Sequence, residues 1–115
     1  MNKIEPINQN WLESMASTKK DFTKRLFEVF IRDEPARVIK IKEAFKSNNF
    51  KELKYLAHSL KGASATMGAD RVRESCLKLE KSALKNDAVV IEANLKELEE
   101  EMEHLYQFMK KFLEE

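Results

Sequence analysis

Apolar residues recur along this chain at intervals of three and four, the spacing of one helix face, and no segment keeps the two-residue alternation of a strand. The pattern predicts six helices. The first covers about 9–16, opening near Asn10 and carrying Trp11, Leu12 and Met15 on its apolar side. Thr18-x-x-Asp21 has the form of a capping box and opens a second helix over about 19–32. That helix has one stripe of Phe22, Leu26 and Val29 and a second of Phe27 and Ile31, as in a helix covered on two sides. Asp33-Glu34-Pro35 then restarts the chain, because proline and acidic residues suit a first helical turn. The third helix, about 34–47, presents Val38, Ile41 and Phe45 and stops at Ser47-Asn48-Asn49. Asn49-x-x-Glu52 caps a fourth over about 50–67, which ends at Gly68, the residue expected in a left-handed stop. A fifth, about 70–85, aligns Val72, Cys76, Leu79 and Ala83, and Asn86-Asp87 closes it. The sixth, about 88–113, aligns Ile91, Leu95, Leu98, Met102, Leu105, Met109 and Phe112.

Four consecutive long helices joined by two to four residues pack as antiparallel neighbours. The expected fold is therefore all-α, an antiparallel up-down four-helix bundle with two additional N-terminal helices, one domain over residues 1–115. Composition agrees: 36% of residues are charged and 43% hydrophobic, proportions of a globular helical chain and not of a disordered one. No apolar run approaches the ~20 residues that span a bilayer, and Met1-Asn2-Lys3-Ile4-Glu5-Pro6 lacks the apolar centre of a signal peptide. The expected location is the cytoplasm, without membrane attachment. The one cysteine, Cys76, excludes an internal disulfide. A net charge of +1 gives no reason to expect nucleic acid, although residues 1–66 carry an excess of lysine and arginine and residues 67–115 an excess of acids.

The chain holds two glycines, Gly62 and Gly68, and the first lies one helical turn beyond His58. A glycine inside a helix costs roughly 1 kcal/mol relative to alanine, so its position calls for a local reason. Counting about 100° per residue from Leu53, the residues Leu56, Ala57, Leu60, Ser64 and Met67 fall within about 60° and form the buried side. His58 lies near 140° on the same wheel, among Lys51, Lys54, Lys61, Gly62 and Ala65 on the outward side. An imidazole in solvent is largely neutral near pH 7 and keeps a lone pair on one ring nitrogen, which can attack phosphorus. Lys61 is placed to offset the charge of the group that results. No acid stands three or four residues from His58, so the imidazole is expected to work unassisted. Other candidates are weaker. His104 stands off the apolar stripe of the last helix beside Glu100 and Glu101, the arrangement of a solvated face, and Cys76 belongs to a core stripe, so no metal site is expected. The chain has neither a glycine-rich phosphate loop nor an acid cluster arranged for Mg²⁺.

The string His58-x-Leu60-Lys61-Gly62-x-Ser64-x-x-x-Gly68-Ala69, followed by Cys76-x-x-Leu79-Glu80, resembles the signature of histidine-containing phosphotransfer (HPt) domains. The resemblance implies a carrier in a multistep His-Asp phosphorelay, not an enzyme, taking a phosphoryl group on His58 from one receiver-domain aspartate and giving it to another. It gives Lys61 the task of holding the phosphoryl group and Gly62 that of leaving room for the partner. It makes Gly68 the helix-ending glycine and Ser64 the small inward-facing residue. The implied partners are receiver domains and a hybrid sensor kinase, met by a monomer that carries no cofactor, with Mg²⁺ and the aspartate on the receiver. The partner surface is expected around His58, from Lys51, Lys54, Tyr55 and Ala65 with Leu12 and Met15 of the first helix. Two other readings are a phosphotransfer domain fed directly by its own kinase, as in hybrid or chemotaxis-type sensor kinases, and a helical adaptor that binds receivers without phosphotransfer. The first needs a donor that uses ATP, and the intact His58, Lys61 and Gly62 set argues against the second.

Overall fold

A computed structural model of the chain describes residues 5–115; the opening Met1-Asn2-Lys3-Ile4 of the sequence reading lies outside the described residues. Five helices follow one another: α1 (Gln9–Thr18), α2 (Lys20–Lys46), α3 (Phe50–Thr66), α4 (Asp70–Leu84) and α5 (Ala88–Leu113). No strand occurs among the described residues. α3 packs against α2 and α4, and α5 against α4 and α2, so the four long helices close a ring around one core. The short α1 rests on α2.

The expected second and third helices are one. Pro35 lies inside α2 and does not open a new helix. Its missing N–H leaves the carbonyl four residues back without its helical partner, at a cost of about 3 kcal/mol in a helix interior. The burial of Thr23, Phe27, Phe30, Glu34, Ile41 and Ala44 along one face, on both sides of the proline, holds the helix continuous against that cost. The two N-terminal helices expected beside the bundle are thereby reduced to one, α1. The core stripe of α2 is also different from the first of the two expected. Phe27 is fully buried, whereas Phe22 is 52% exposed and Val29 39%. Trp11 of α1 stacks on Phe27 at 6.3 Å and packs, partly buried, against the core. The Thr18 capping box is not formed. Thr18 ends α1, donating its hydroxyl to the Ser14 carbonyl at 2.8 Å, and α2 starts at Lys20, its N-cap Lys19 making no side-chain cap. Asn8, two residues ahead of the expected Asn10, caps α1 by accepting from the Trp11 N–H.

The three turns that join α2 to α5 share one design. Asn48, Gly68 and Asn86 each take positive φ, at 56°, 67° and 54°. The next residue then donates its N–H back to the helix just ended, Asn49 to Ala44, Ala69 to Ser64 and Asp87 to Ser82. These are the paired bonds of a Schellman stop, which satisfy carbonyls that a helix end leaves open. Asn49 and Asp87 then cap the following helices, accepting from Glu52 N and Val90 N. Asparagine serves at two of the turns but not at the third, because a Cβ on residue 68 would lie 2.7 Å from Trp11 Cγ. The Asn8 N–H also donates to the Gly68 carbonyl at 2.6 Å. Gly68 is thus both the stop of α3 and the seat of α1. The buried stripes of α4 and α5 are the expected ones, Val72, Cys76, Leu79 and Ala83 on α4 and Ile91 through Phe112 on α5.

Candidate functional site

α3 buries Leu53, Leu56, Ala57, Leu60 and Ser64, as its periodicity requires, and this turns His58 outward with 67% of its side chain exposed. The position of Gly62 is open: beyond its chain neighbours and the backbone of its own helix, nothing lies within 4 Å of where its Cβ would stand. One turn beyond the ring, the helix surface is therefore bare backbone. Lys51, Lys54 and Ala65 are exposed, and Tyr55 is 65% exposed, so these four of the expected partner residues share the solvent face of α3 with the histidine. Leu12 does not join them. It is half-buried and lines a groove of about 500 Å³ with Ala16, Phe108 and Phe112, between α1 and α5, the bundle helix that does not pack against α3. Met15 is half-buried on α1.

The expectation of an unassisted imidazole is overturned by α4. Glu80, with 15% of its side chain exposed, places Oε2 3.1 Å from His58 Nδ1 and Oε1 2.7 Å from Lys61 Nζ. A carboxylate has no proton to give, so the hydrogen in the first contact belongs to Nδ1. The neutral ring then carries its lone pair on Nε2. Lys61 is 25% exposed, and its ammonium is drawn toward α4 instead of extending into solvent. Beneath them Cys76, buried on the same helix as Glu80, has its thiol pushed up to about 12 by burial and by the Glu80 charge. It stays neutral and unreactive. Glu80 lies 22 residues beyond His58, out of reach of any count along one helix, and only the packing of α4 on α3 brings it there. A sequence signal was present in the Cys76-x-x-Leu79-Glu80 segment, but it carried no role for the acid.

Residues 25–108 match the family model described as Hpt domain. The chain belongs to the Hpt domain family. Its fold is similar to that of histidine-containing phosphotransfer protein B from Pseudomonas aeruginosa PAO1, with a TM-score of 0.89 over 97% of each chain at 24% identity. Comparison with curated proteins gives no match. As an Hpt domain the chain serves histidine-containing phosphotransfer in phosphorelays, as a carrier and not as an enzyme in the usual sense, and its partners are receiver domains. No described helix is long and apolar enough to cross a membrane. Among the described residues no group of three or more His, Cys, Asp or Glu could hold a metal ion. His104 is 56% exposed and stands 3.9 Å from Glu101, a surface pair.

Proposed function

We propose that His58 is the phosphoacceptor of this Hpt domain, taking the phosphoryl group from the aspartyl phosphate of one receiver and returning it to the aspartate of another. The observation that carries the reading is the Glu80 contact on Nδ1, which directs the lone pair of an exposed ring to Nε2. Attack by Nε2 forms the P–N bond as the P–O bond to the aspartate breaks, and the carboxylate leaves. The attacking ring is neutral and still holds the Nδ1 proton, so it becomes cationic as the bond forms. The Glu80 carboxylate beside that proton stabilises the positive charge, as a carboxylate supports an imidazolium elsewhere in acyl-transfer chemistry. The same charge favours the return step, since a cationic ring is the better leaving group. Gly62 leaves the approach to Nε2 open on one side, and Lys51 and Lys54 contribute positive potential around it.

On this reading the receiver supplies the aspartate and Mg²⁺, and the domain needs no cofactor of its own. It meets its receivers as a monomer in the cytoplasm, with a hybrid sensor kinase upstream. The test is incubation with a panel of phosphorylated receivers. Acid-labile label should pass to the wild-type chain and fail to pass to His58→Gln; label retained by that variant would remove His58 from the role.

A further inference from the structure

The seam between α2 and α5 holds two polar atoms to which the phosphotransfer reading gives no task. Glu34 is 6% exposed on the buried face of α2, and its Oε1 makes no hydrogen bond to any protein group. Arg37 brings Nη1 to 3.2 Å from that oxygen, an ion pair without hydrogen-bond alignment. Tyr106 of α5 points the unusual way. A half-buried tyrosine ordinarily keeps its apolar ring inside and its hydroxyl in water, whereas here the hydroxyl is the buried end and has no partner either. The two atoms belong to one place. Phe30, one turn before Glu34, meets the Tyr106 ring at 6.2 Å. Burial, and after it the charges of Glu34 and Glu103, hold the Tyr106 hydroxyl above its ordinary pKa, so it keeps its proton and is a donor.

We propose that one water molecule is bound inside this seam, accepting from the Tyr106 hydroxyl and donating to Glu34 Oε1, with the Arg37 guanidinium as its third partner. Buried polar atoms of folded chains are nearly always hydrogen-bonded, because an orphan loses its hydration and gains nothing. The two oxygens make no direct hydrogen bond, yet they are near enough for the charge of one to act on the other. A single water fits that relation. Three hydrogen-bonding neighbours are also the usual complement of a buried water. The bridge joins two helices, α2 and α5, which Lys42 and Glu99 join again at 3.1 Å further toward the C-terminal end of α2. Sliding one helix along the other would set a carboxylate and a hydroxyl against apolar side chains, which is how a buried polar contact specifies register. The bridge thus fixes α2 on α5. The proposal does not depend on His58 being the phosphoacceptor.

The experiment joins a crystal structure of the intact chain, at a resolution that shows ordered solvent, to a double-mutant cycle of Glu34→Met and Tyr106→Phe. The crystal should hold one water within hydrogen-bond distance of both Glu34 Oε1 and Tyr106 Oη. Oxygen-17 relaxation dispersion in solution should count one long-lived water fewer in the double variant than in the wild type. In urea titrations Tyr106→Phe should lower the midpoint of the wild type, and should leave it unchanged or raise it once residue 34 is methionine, because removing both partners leaves no orphan. The proposal is overturned by a direct Tyr106–Glu34 hydrogen bond in the crystal, by an equal count of long-lived waters, or by the same midpoint shift from Tyr106→Phe in both backgrounds. The crystal structure needs no variant, so the proposal stays falsifiable even if the double variant does not fold.

Discussion

At the scale of single residues, the site depends on one side chain that is present and one that is absent. On the proposed reading Glu80, in contact with Nδ1, makes His58 a directed nucleophile, and the open space at position 62 lets a partner reach it. The second point separates stability from binding. Gly62→Ala places its Cβ in open space and should stabilise the domain by about 0.5–1 kcal/mol in urea denaturation, the usual helical preference for alanine. Gly62→Gln should keep wild-type stability or better while weakening affinity for a phosphorylation-competent receiver at least several-fold in titration. Equal receiver affinity in the glutamine variant would show that position 62 lies outside the docking surface. The exposure of His58 and the open position of Gly62 were readable from their places on one helical wheel, whereas Lys61, placed outward by the same wheel, is drawn to α4. Glu80 was not, because a wheel reports neighbours within one helix and is silent about the next.

At the scale of elements, the boundaries that sequence chemistry located best were those set by the turns. Asn49, Gly68 and Asp87 do what their residue types suggest, since a cap or a left-handed stop is decided within a few residues. Pro35 shows the opposite case. A proline after two acids has the local form of a helix start, and only the apolar face formed across it by Phe27, Phe30, Ile41 and Ala44 reveals that the helix goes on. Local propensity lost to packing there. The Thr18 box failed for a similar reason, its hydroxyl having been taken by the last turn of α1. A continuous α2 makes a definite prediction. Pro35→Ala supplies the missing N–H in mid-helix and should raise stability by about 1–3 kcal/mol, less the part lost to a more flexible unfolded chain. Were Pro35 the first turn of a separate helix, the alanine variant would be neutral or less stable in the same urea titration.

At the scale of the whole molecule, the bundle is 43 Å in its longest dimension, close to the ~40 Å that the 27 residues of α2 span at 1.5 Å each. α2 is the spine to which α1, α3 and α5 attach. Its buried Glu34 is a feature the phosphotransfer reading does not use. Burial raises the Glu34 carboxyl above its ordinary range; Arg37, 3.2 Å away, offsets this in part, and Asp33 adds to it. A folded-state pKa above the unfolded value means that the folded chain holds this proton more tightly, so stability falls as pH rises through the folded pKa. Glu34→Gln should therefore be more stable than the wild type at pH 7, with the gap narrowing as the pH is lowered through the raised pKa. Urea midpoints from pH 4 to 8 measure it, and a glutamine variant less stable at neutral pH would contradict the assignment. The central claim concerns the face where α3 and α4 present an imidazole with one nitrogen bound and one free. Phosphorus–proton correlation NMR on the domain phosphorylated by a receiver tests it most directly. The account predicts phosphorus on Nε2 of His58, and phosphorus on Nδ1 or on any other residue would contradict it.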